Sequence, residues 1–144
     1  MRCLWIVVAL LLIASCAESC YPAEMINLER IKQIESNGNP LAYNNRSHAV
    51  GLYQITPICL TEYNNFHKVK YSQAQLFNGK INRKIAEWYI NIRIPSMLSY
   101  YHKPITVENV LISYNAGISY VVKGKPLPIE TVNYIRKYQA QIDR

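Results

Sequence analysis

The chain has 144 residues, half of them hydrophobic, and a formal net charge of +7. This length allows one domain with its own hydrophobic core, and the composition excludes wholesale disorder. The positive charge favours anionic partners such as nucleic acid, acidic lipid or acidic wall polymers. Because the basic residues are scattered along the chain, the sequence argues against a nucleic-acid-binding arm.

The first feature in chain order is a targeting signal. Arg2 precedes an unbroken apolar run from Leu4 to Ile13, and small residues follow it. A basic start, a short apolar run and small residues are typical of a secretory signal peptide, whereas a spanning helix needs roughly 20 apolar residues. We therefore predict a signal peptide over residues 1–17, a domain over residues 20–144, and export to the periplasm or cell envelope.

The end of this signal has two interpretations. The stretch Ile13-Ala14-Ser15-Cys16 is similar to a lipobox, which would make Cys16 the lipidated residue of an outer-membrane lipoprotein. Ordinary cleavage after Ala17 suits the same small residues. Cys20 and Cys59 remain in both cases, and an even number of cysteines in an oxidising compartment predicts a disulfide between them. Two unpaired thiols are the alternative.

Apolar residues at helical spacing predict a mainly helical domain. Gly38-Asn39-Pro40 ends the first helix, Pro95 kinks or ends the third, and Thr106 caps the fourth. Residues 39–50, rich in Asn and Ser, predict a loop or small irregular β region, and residues 123–128 a connector. The third helix has Ile81, Ile85, Trp88 and Ile92 at helical spacing. The predicted helices cover residues 24–37, 57–65, 80–101, 107–116 and 129–142.

Glu35 is the first candidate for chemistry. It lies at the C-terminal end of the first predicted helix, next to Ile34 on the apolar side. Desolvation among apolar neighbours raises the pKa of a carboxyl group, and a raised pKa keeps a general acid protonated near neutral pH. On position alone, a solvated glutamate near a helix end is the plainer interpretation.

Four separate blocks of sequence strengthen the functional interpretation of Glu35. They are Glu35-Ser36-Asn37-Gly38-Asn39-Pro40, Gly51-Leu52-Tyr53-Gln54-Ile55-Thr56-Pro57, Tyr114-Asn115-Ala116-Gly117, and Glu130-Thr131 with Tyr134-Ile135. In this order they resemble the lytic transglycosylase family of the soluble, lysozyme-like type, over about residues 24–138. The resemblance implies a mainly α, lysozyme-like α+β fold: one compact helical domain with a small irregular β or loop region beside an active-site cleft.

The resemblance also implies roles for individual residues. Glu35 would be the sole catalytic acid and base. Asn44 stands where a serine is common and can still bond a sugar; Tyr53 replaces a methionine and offers a face for sugar stacking. Tyr114 as a core residue and Glu130 as a carboxylate at a helix N-terminus are the structural alternatives. The implied substrate-binding residues are Ser36, Asn44, Tyr53, Gln54, Tyr114, Asn115, Glu130 and Tyr134.

The inventory of acids favours a mechanism with one essential carboxyl group. The only aspartate is Asp143, near the C-terminus, and no other glutamate shares a short motif with Glu35. Glycosidases commonly use two carboxylates, and substrate assistance is the recognised exception. The resemblance therefore implies cleavage of the glycosidic bond between N-acetylmuramic acid and N-acetylglucosamine, with 1,6-anhydromuramic acid as product. We predict no metal site, because the three histidines lack partners at ligand spacing. The reaction that the resemblance implies requires no cofactor.

Other functions remain as alternatives. A hydrolase like the goose-type lysozymes would share the fold and Glu35 but use water, and a catalytically silent wall-binding assembly protein would keep only the fold. The predicted partner is the peptidoglycan glycan strand, not nucleic acid. A membrane is predicted only through a lipid anchor on Cys16, and the protein is predicted to be a monomer. Its size is similar to that of accessory enzymes of secretion, conjugation and pilus machines and of phage wall-degrading proteins.

Overall fold

The computed structural model describes residues 26–141. The predicted signal peptide, Cys16, Cys20 and Asp143 lie outside this range. The described chain is mainly helical, which confirms the predicted fold class. The helices are α1 (Leu28–Ser36), α2 (Pro57–His67), α3 (Gly79–Trp88), α4 (Ile94–Tyr100), α5 (Val107–Asn115), α6 (Ile118–Lys123) and α7 (Ile129–Ala140), with a 3-10 helix at Gln73–Phe77 and a π-helical turn at Tyr89–Arg93.

Capping residues set the ends of α1. The Asn27 side chain accepts hydrogen bonds from the backbone N–H groups of Glu29 and Arg30, so the helix begins at Leu28. Asn37 adopts a left-handed conformation with φ of 53° and ends it. Glu35 therefore lies in the last turn of α1, one residue before the helix ends.

The region between α1 and α2 carries the little β structure that the described residues have. Val50 forms isolated antiparallel bridges with both Tyr43 and Ile55. Turns and irregular backbone occupy the rest of this region. The sequence prediction of a loop or small irregular β region here is confirmed. Thr56 then caps α2 through its side chain, which accepts from the Cys59 N–H at 3.3 Å.

The third predicted helix contains a π-helical turn directly before Pro95. The turn separates α3 from α4, and Pro95 lies in the first turn of α4. An extra residue in a helical turn rotates everything after it relative to the preceding helix. Within the turn Ile90 is buried and Ile92 is 55% exposed, and Ile94, which follows the turn, is buried. The sequence analysis assumed one continuous helix, in which Ile92 shares a face with Ile85 and Trp88. That prediction is wrong for Ile92.

Helix α6 and the 3-10 helix were not predicted. Residues 118–123 read Ile-Ser-Tyr-Val-Val-Lys, whose β-branched and aromatic content does not favour a helix. The helix follows Gly117 without a side-chain cap and ends at Gly124 in a left-handed conformation. Its packing against α5 and α4 therefore overrides the local preference.

The packing of three helices brings the sequence blocks together. Helix α7 packs against both α1 and α5, and α5 also packs against α4 and α6. No helix within residues 26–141 is long and apolar enough to cross a membrane. The largest fully buried side chains of the core are Tyr53, Tyr63, Ile31, Ile55, Leu76, Ile85, Ile90, Ile94, Leu98, Leu111, Val50 and Val110.

Candidate active site

Glu35 has the electrostatic character of a general acid. Its side chain is partly buried at the end of α1. Desolvation raises its pKa from 4.5 to about 7, because the charged carboxylate loses hydration that the surrounding protein does not replace. Both the protonated and the ionised carboxyl group are therefore accessible near neutral pH.

Tyr134 on α7 faces this carboxyl group. Its hydroxyl lies close enough to lower the pKa of Glu35, which partly offsets the effect of desolvation. Tyr134 is only 6% exposed, and its hydroxyl has no hydrogen-bond partner of good geometry within the described part of the chain. A buried hydroxyl without a hydrogen-bond partner is available to bond either the ionised carboxylate or a bound sugar.

Tyr114 on α5 is the second tyrosine near Glu35. Burial, and then the charge of Glu35, raise the pKa of Tyr114 well above its ordinary value. Its hydroxyl donates a hydrogen bond of 2.6 Å to the backbone carbonyl of Tyr53. Tyr114 is therefore bonded to the loop of the Gly-Leu-Tyr-Gln block, and its predicted contact with substrate stays a prediction.

That loop, residues 50–54, is also fastened to α1. Ser36 follows Glu35 directly, and its hydroxyl donates to the Leu52 carbonyl at 2.8 Å. Gln54 adopts a left-handed backbone conformation with φ of 48°. Its side-chain amide donates to the Gly51 carbonyl at 3.0 Å and to the Ala42 carbonyl at 3.4 Å. Ser36 and Gln54 thus shape the loop in this structure, and their predicted contacts with substrate stay predictions.

The side chain of Tyr53 belongs to the core. It is 0% exposed, so the predicted stacking of its ring against a sugar is wrong. The methionine that Tyr53 replaces in the family pattern is likewise an apolar residue suited to a core position. What Tyr53 contributes near Glu35 is its backbone carbonyl, which accepts from Tyr114.

Three predicted residues lie on the exposed surface. Asn44 closes a turn, since its side-chain oxygen accepts from the backbone N–H groups of Arg46 and Ser47. Asn115 accepts a hydrogen bond of 2.8 Å from the hydroxyl of the buried Thr131. Glu130 is exposed in the first turn of α7, where the helix dipole favours a carboxylate. The structure therefore supplies a local structural role for Asn44 and Asn115 and leaves Glu130 available to solvent.

Two other glutamates of the described chain are held in ion pairs. Glu29 is paired with Lys32 and Arg83, and both lower its pKa. Glu62 is paired with Arg93 at 2.7 Å. The causes of the raised pKa of Glu35 include no second carboxyl group from residues 26–141. Those residues also contain no group of three His, Cys, Asp or Glu side chains that could hold a metal ion.

Asn82 is a residue near the loop that the sequence interpretation missed. It lies on α3 and is 0% exposed, although its side chain is polar. Its only signal in the sequence is an asparagine three residues before Ile85, on what is otherwise the apolar face of the helix. Thr131 was named only as part of a block, and its bond to Asn115 follows from the structure alone.

Cys59 is buried, and burial raises the pKa of its thiol. Its predicted pairing with Cys20 stays a prediction.

A mainly helical domain that holds one partly buried glutamate with a pKa near neutral is typical of glycan-cleaving domains of the lysozyme-like class. Residues 17–126 match the family model described as the transglycosylase SLT domain. The chain belongs to this family of transglycosylases. The match ends before α7, so the roles suggested for Glu130 and Tyr134 depend on the blocks and on the geometry of α7.

Neither the curated proteins nor the solved structures contain a significant match to the chain. Family membership supports peptidoglycan lytic transglycosylase activity in general and peptidoglycan as the substrate class. It also implies a place of action outside the cytoplasm, where peptidoglycan lies.

Proposed function

We propose that this protein cleaves the β-1,4 bond between N-acetylmuramic acid and N-acetylglucosamine in peptidoglycan and releases products that end in 1,6-anhydromuramic acid. Glu35 is the catalytic acid and base. The observation that carries the proposal is the pKa of Glu35, which desolvation raises to about 7. At this value one group can donate a proton in the first half of the reaction and accept one in the second.

The reaction has two proton transfers through the same carboxyl group. Protonated Glu35 gives its proton to the glycosidic oxygen, and the bond from that oxygen to the anomeric carbon of the muramic sugar breaks. The acetamido oxygen of the same sugar stabilises the positive charge that develops at this carbon. The ionised Glu35 then takes the proton of the 6-hydroxyl group, whose oxygen bonds to the anomeric carbon as the acetamido oxygen leaves. Glu35 ends protonated, and no water is consumed.

The surroundings of Glu35 support a scheme with a single carboxyl group. A retaining glycosidase places two carboxyl groups about 5–5.5 Å apart, where each would influence the pKa of the other. The pKa of Glu35 is set instead by desolvation and by Tyr134. Tyr134 is well placed to bond the carboxylate that forms after the first proton transfer, since its hydroxyl lacks another partner of good geometry among residues 26–141.

The chemical form of the released sugar tests the proposal. Purified peptidoglycan is digested in water enriched in oxygen-18, and the released muropeptides are identified by mass spectrometry. A transglycosylase yields anhydromuramic ends without oxygen-18, whereas a hydrolase of the goose-lysozyme kind yields reducing ends that carry it. Absence of any product would favour the wall-binding alternative.

We also propose that residues 1–17 direct export and that residues 20–144 form the catalytic domain. The supporting observation is the basic start and the apolar run that ends at Ile13. A single-domain enzyme of this kind would open the wall locally or contribute to its turnover. Mass determination of the mature N-terminus distinguishes cleavage after Ala17 from lipidation at Cys16.

A further inference from the structure

The buried amide of Asn82 holds three backbone groups at once. Its nitrogen donates to the carbonyls of Val50 at 2.8 Å and Leu76 at 2.9 Å. Its oxygen accepts from the N–H of Tyr53 at 2.9 Å. A buried polar side chain is costly unless its bonds are made, and here both hydrogens of the amide nitrogen and the oxygen are used. Asn82 therefore fixes the backbone on both sides of Gly51.

Gly51 is fitted directly against this amide. Its φ is +79°, and a Cβ built there would lie 2.4 Å from the Asn82 amide nitrogen and 2.6 Å from the Leu76 carbonyl oxygen. No side chain larger than hydrogen fits between the loop and Asn82 without displacing one of them. The loop of residues 50–54 and the amide thus form one closely packed unit.

The opposite side of the same loop contacts the surroundings of Glu35. Ser36, the neighbour of Glu35, donates to the Leu52 carbonyl at 2.8 Å. Tyr114, whose pKa responds to the charge of Glu35, donates to the Tyr53 carbonyl at 2.6 Å. Helices α1, α3 and α5 therefore meet on one loop through side-chain bonds to its backbone.

We propose that Asn82 is a positioning residue for the reaction: by fixing the loop of residues 50–54 it holds Ser36 and Tyr114 in place beside Glu35. The inference rests on the proposed function, since it takes Glu35 as the acid. Asn82 itself has no part in proton transfer. Displacement of reacting groups by about 1 Å can lower a rate by roughly 100-fold, so a rigid support for the loop has consequences for rate.

A second asparagine of the chain serves as a matched control. Asn64 on α2 also bridges backbone groups, because its amide donates to the Tyr71 carbonyl at 2.8 Å and accepts from the Tyr71 N–H at 3.0 Å. It joins α2 to the segment before the 3-10 helix and makes no bond to the loop of residues 50–54. Asn64→Ala therefore loses two bonds to backbone groups at a different place, whereas Asn82→Ala loses three.

The experiment compares Asn82→Ala, Asn82→Ser and Asn64→Ala in the whole mature protein. The readouts are thermal melting, the rate of muropeptide release, and the pKa of Glu35 from the carboxyl ¹³C shift across pH. Tyr114 and Tyr134 are the titratable groups that face Glu35. Both are neutral at the pH values used, so a change in the pKa of Glu35 reports a change in the hydration of its carboxyl group or in its contact with the Tyr134 hydroxyl.

We expect Asn82→Ala to lower the rate by roughly 10- to 100-fold and to lower the pKa of Glu35 from about 7 toward 4.5. Asn82→Ser, which places one hydroxyl where the amide was, should give a smaller change in the same direction. Asn64→Ala should lower the melting temperature and leave the rate and the pKa of Glu35 as in the wild type.

The inference is overturned if Asn82→Ala keeps the wild-type rate and the wild-type pKa of Glu35, or if Asn64→Ala changes both equally. If neither Asn82 variant folds, the role of Asn82 is in stability alone, and the inference is overturned as well. A wild-type protein without activity on peptidoglycan would reject the proposed function, whereas the titration of Glu35 would still decide whether Asn82 controls its surroundings.

Discussion

The hydroxyl of Tyr114 donates a 2.6 Å hydrogen bond to the backbone carbonyl of Tyr53, across 61 positions of sequence. The two residues belong to different sequence blocks, one at the C-terminal end of α5 and one in the loop after α1. Tyr53 buries its ring completely, while its carbonyl is the group that faces Tyr114. The family blocks are therefore connected through backbone atoms as well as through the side chains that a sequence comparison reveals.

Removal of this one hydroxyl should affect both stability and activity. Tyr114→Phe keeps the ring and loses the bond to the Tyr53 carbonyl, so we expect a loss of about 1 kcal/mol in the free energy of unfolding. The rate of muropeptide release should also fall, because the loop loses its connection to α5. Tyr43→Phe is the control, since it removes an exposed hydrogen bond to His48 and should change neither quantity measurably. Equal results from the two variants in denaturant unfolding and in activity would contradict this account.

The pH dependence of activity should follow the pKa of Glu35. Because the acid must be protonated to begin the reaction, kcat/KM should fall as pH rises through about 7. The Tyr134 hydroxyl lowers this pKa, so Tyr134→Phe should move the descending limb to higher pH. Rates measured on soluble glycan fragments between pH 4 and pH 9 give the profile. A descending limb near 4.5, or a shift to lower pH in the variant, would argue against Glu35 as the acid.

The same carboxyl group should make the protein less stable at alkaline pH. Its pKa is about 7 in the folded chain and near 4.5 in the unfolded chain, so the folded state binds the proton more tightly. The contribution to stability is fully present below about 4.5 and is lost as pH rises to about 7, by at most roughly 3 kcal/mol.

Glu35→Gln lacks this titration and should melt at a higher temperature than the wild type at pH 8, with a smaller difference at pH 5. If the difference in melting temperature between the two proteins is the same at pH 5 and pH 8, Glu35 is well hydrated in the folded chain.

Gly51 offers a test of how closely the loop packs on Asn82. Gly51→Ala adds a Cβ 2.4 Å from the Asn82 amide nitrogen, in a backbone conformation with φ of +79° that L-residues avoid. We expect a loss of about 2–4 kcal/mol in the free energy of unfolding.

The matched control is Gly124→Ala, where φ is +59° and no atom lies within 4 Å of the added Cβ. Only the backbone term remains there, about 1–2 kcal/mol. If the Gly51 variant is as stable as the Gly124 variant, the loop moves away from Asn82 at little cost in free energy.

Much of the fold follows from local signals in the sequence. Thr106 caps α5 as predicted, with its side chain accepting from the Asn109 N–H at 3.1 Å. Helices α2 and α7 lie within a few residues of the predicted bounds, and α7 was predicted from its apolar spacing. Such signals depend on neighbours in sequence, so they are visible without the tertiary structure.

Features set by tertiary packing were missed. A π-helical turn at Tyr89–Arg93 interrupts the third predicted helix, and Ile92 within that turn is exposed. Tyr53 was predicted to stack against a sugar because its ring offers a flat face, yet the ring is buried in the core. Asn82 forms its bonds with residues up to 32 positions away, and no local pattern indicates such partners. In this protein the sequence blocks predict the chemistry, and tertiary packing determines which atoms lie around Glu35.

The most direct test of the central claim is the identity of the muropeptide ends released by the wild type, by Glu35→Gln and by Glu87→Gln. Glu87 is an exposed glutamate on α3, so the same change of chemistry there controls for a general effect of charge. We predict anhydromuramic ends free of oxygen-18 from the wild type and from Glu87→Gln, and no products from a folded Glu35→Gln. Anhydromuramic products from a correctly folded Glu35→Gln, or reducing ends labelled with oxygen-18 from the wild type, would contradict the account.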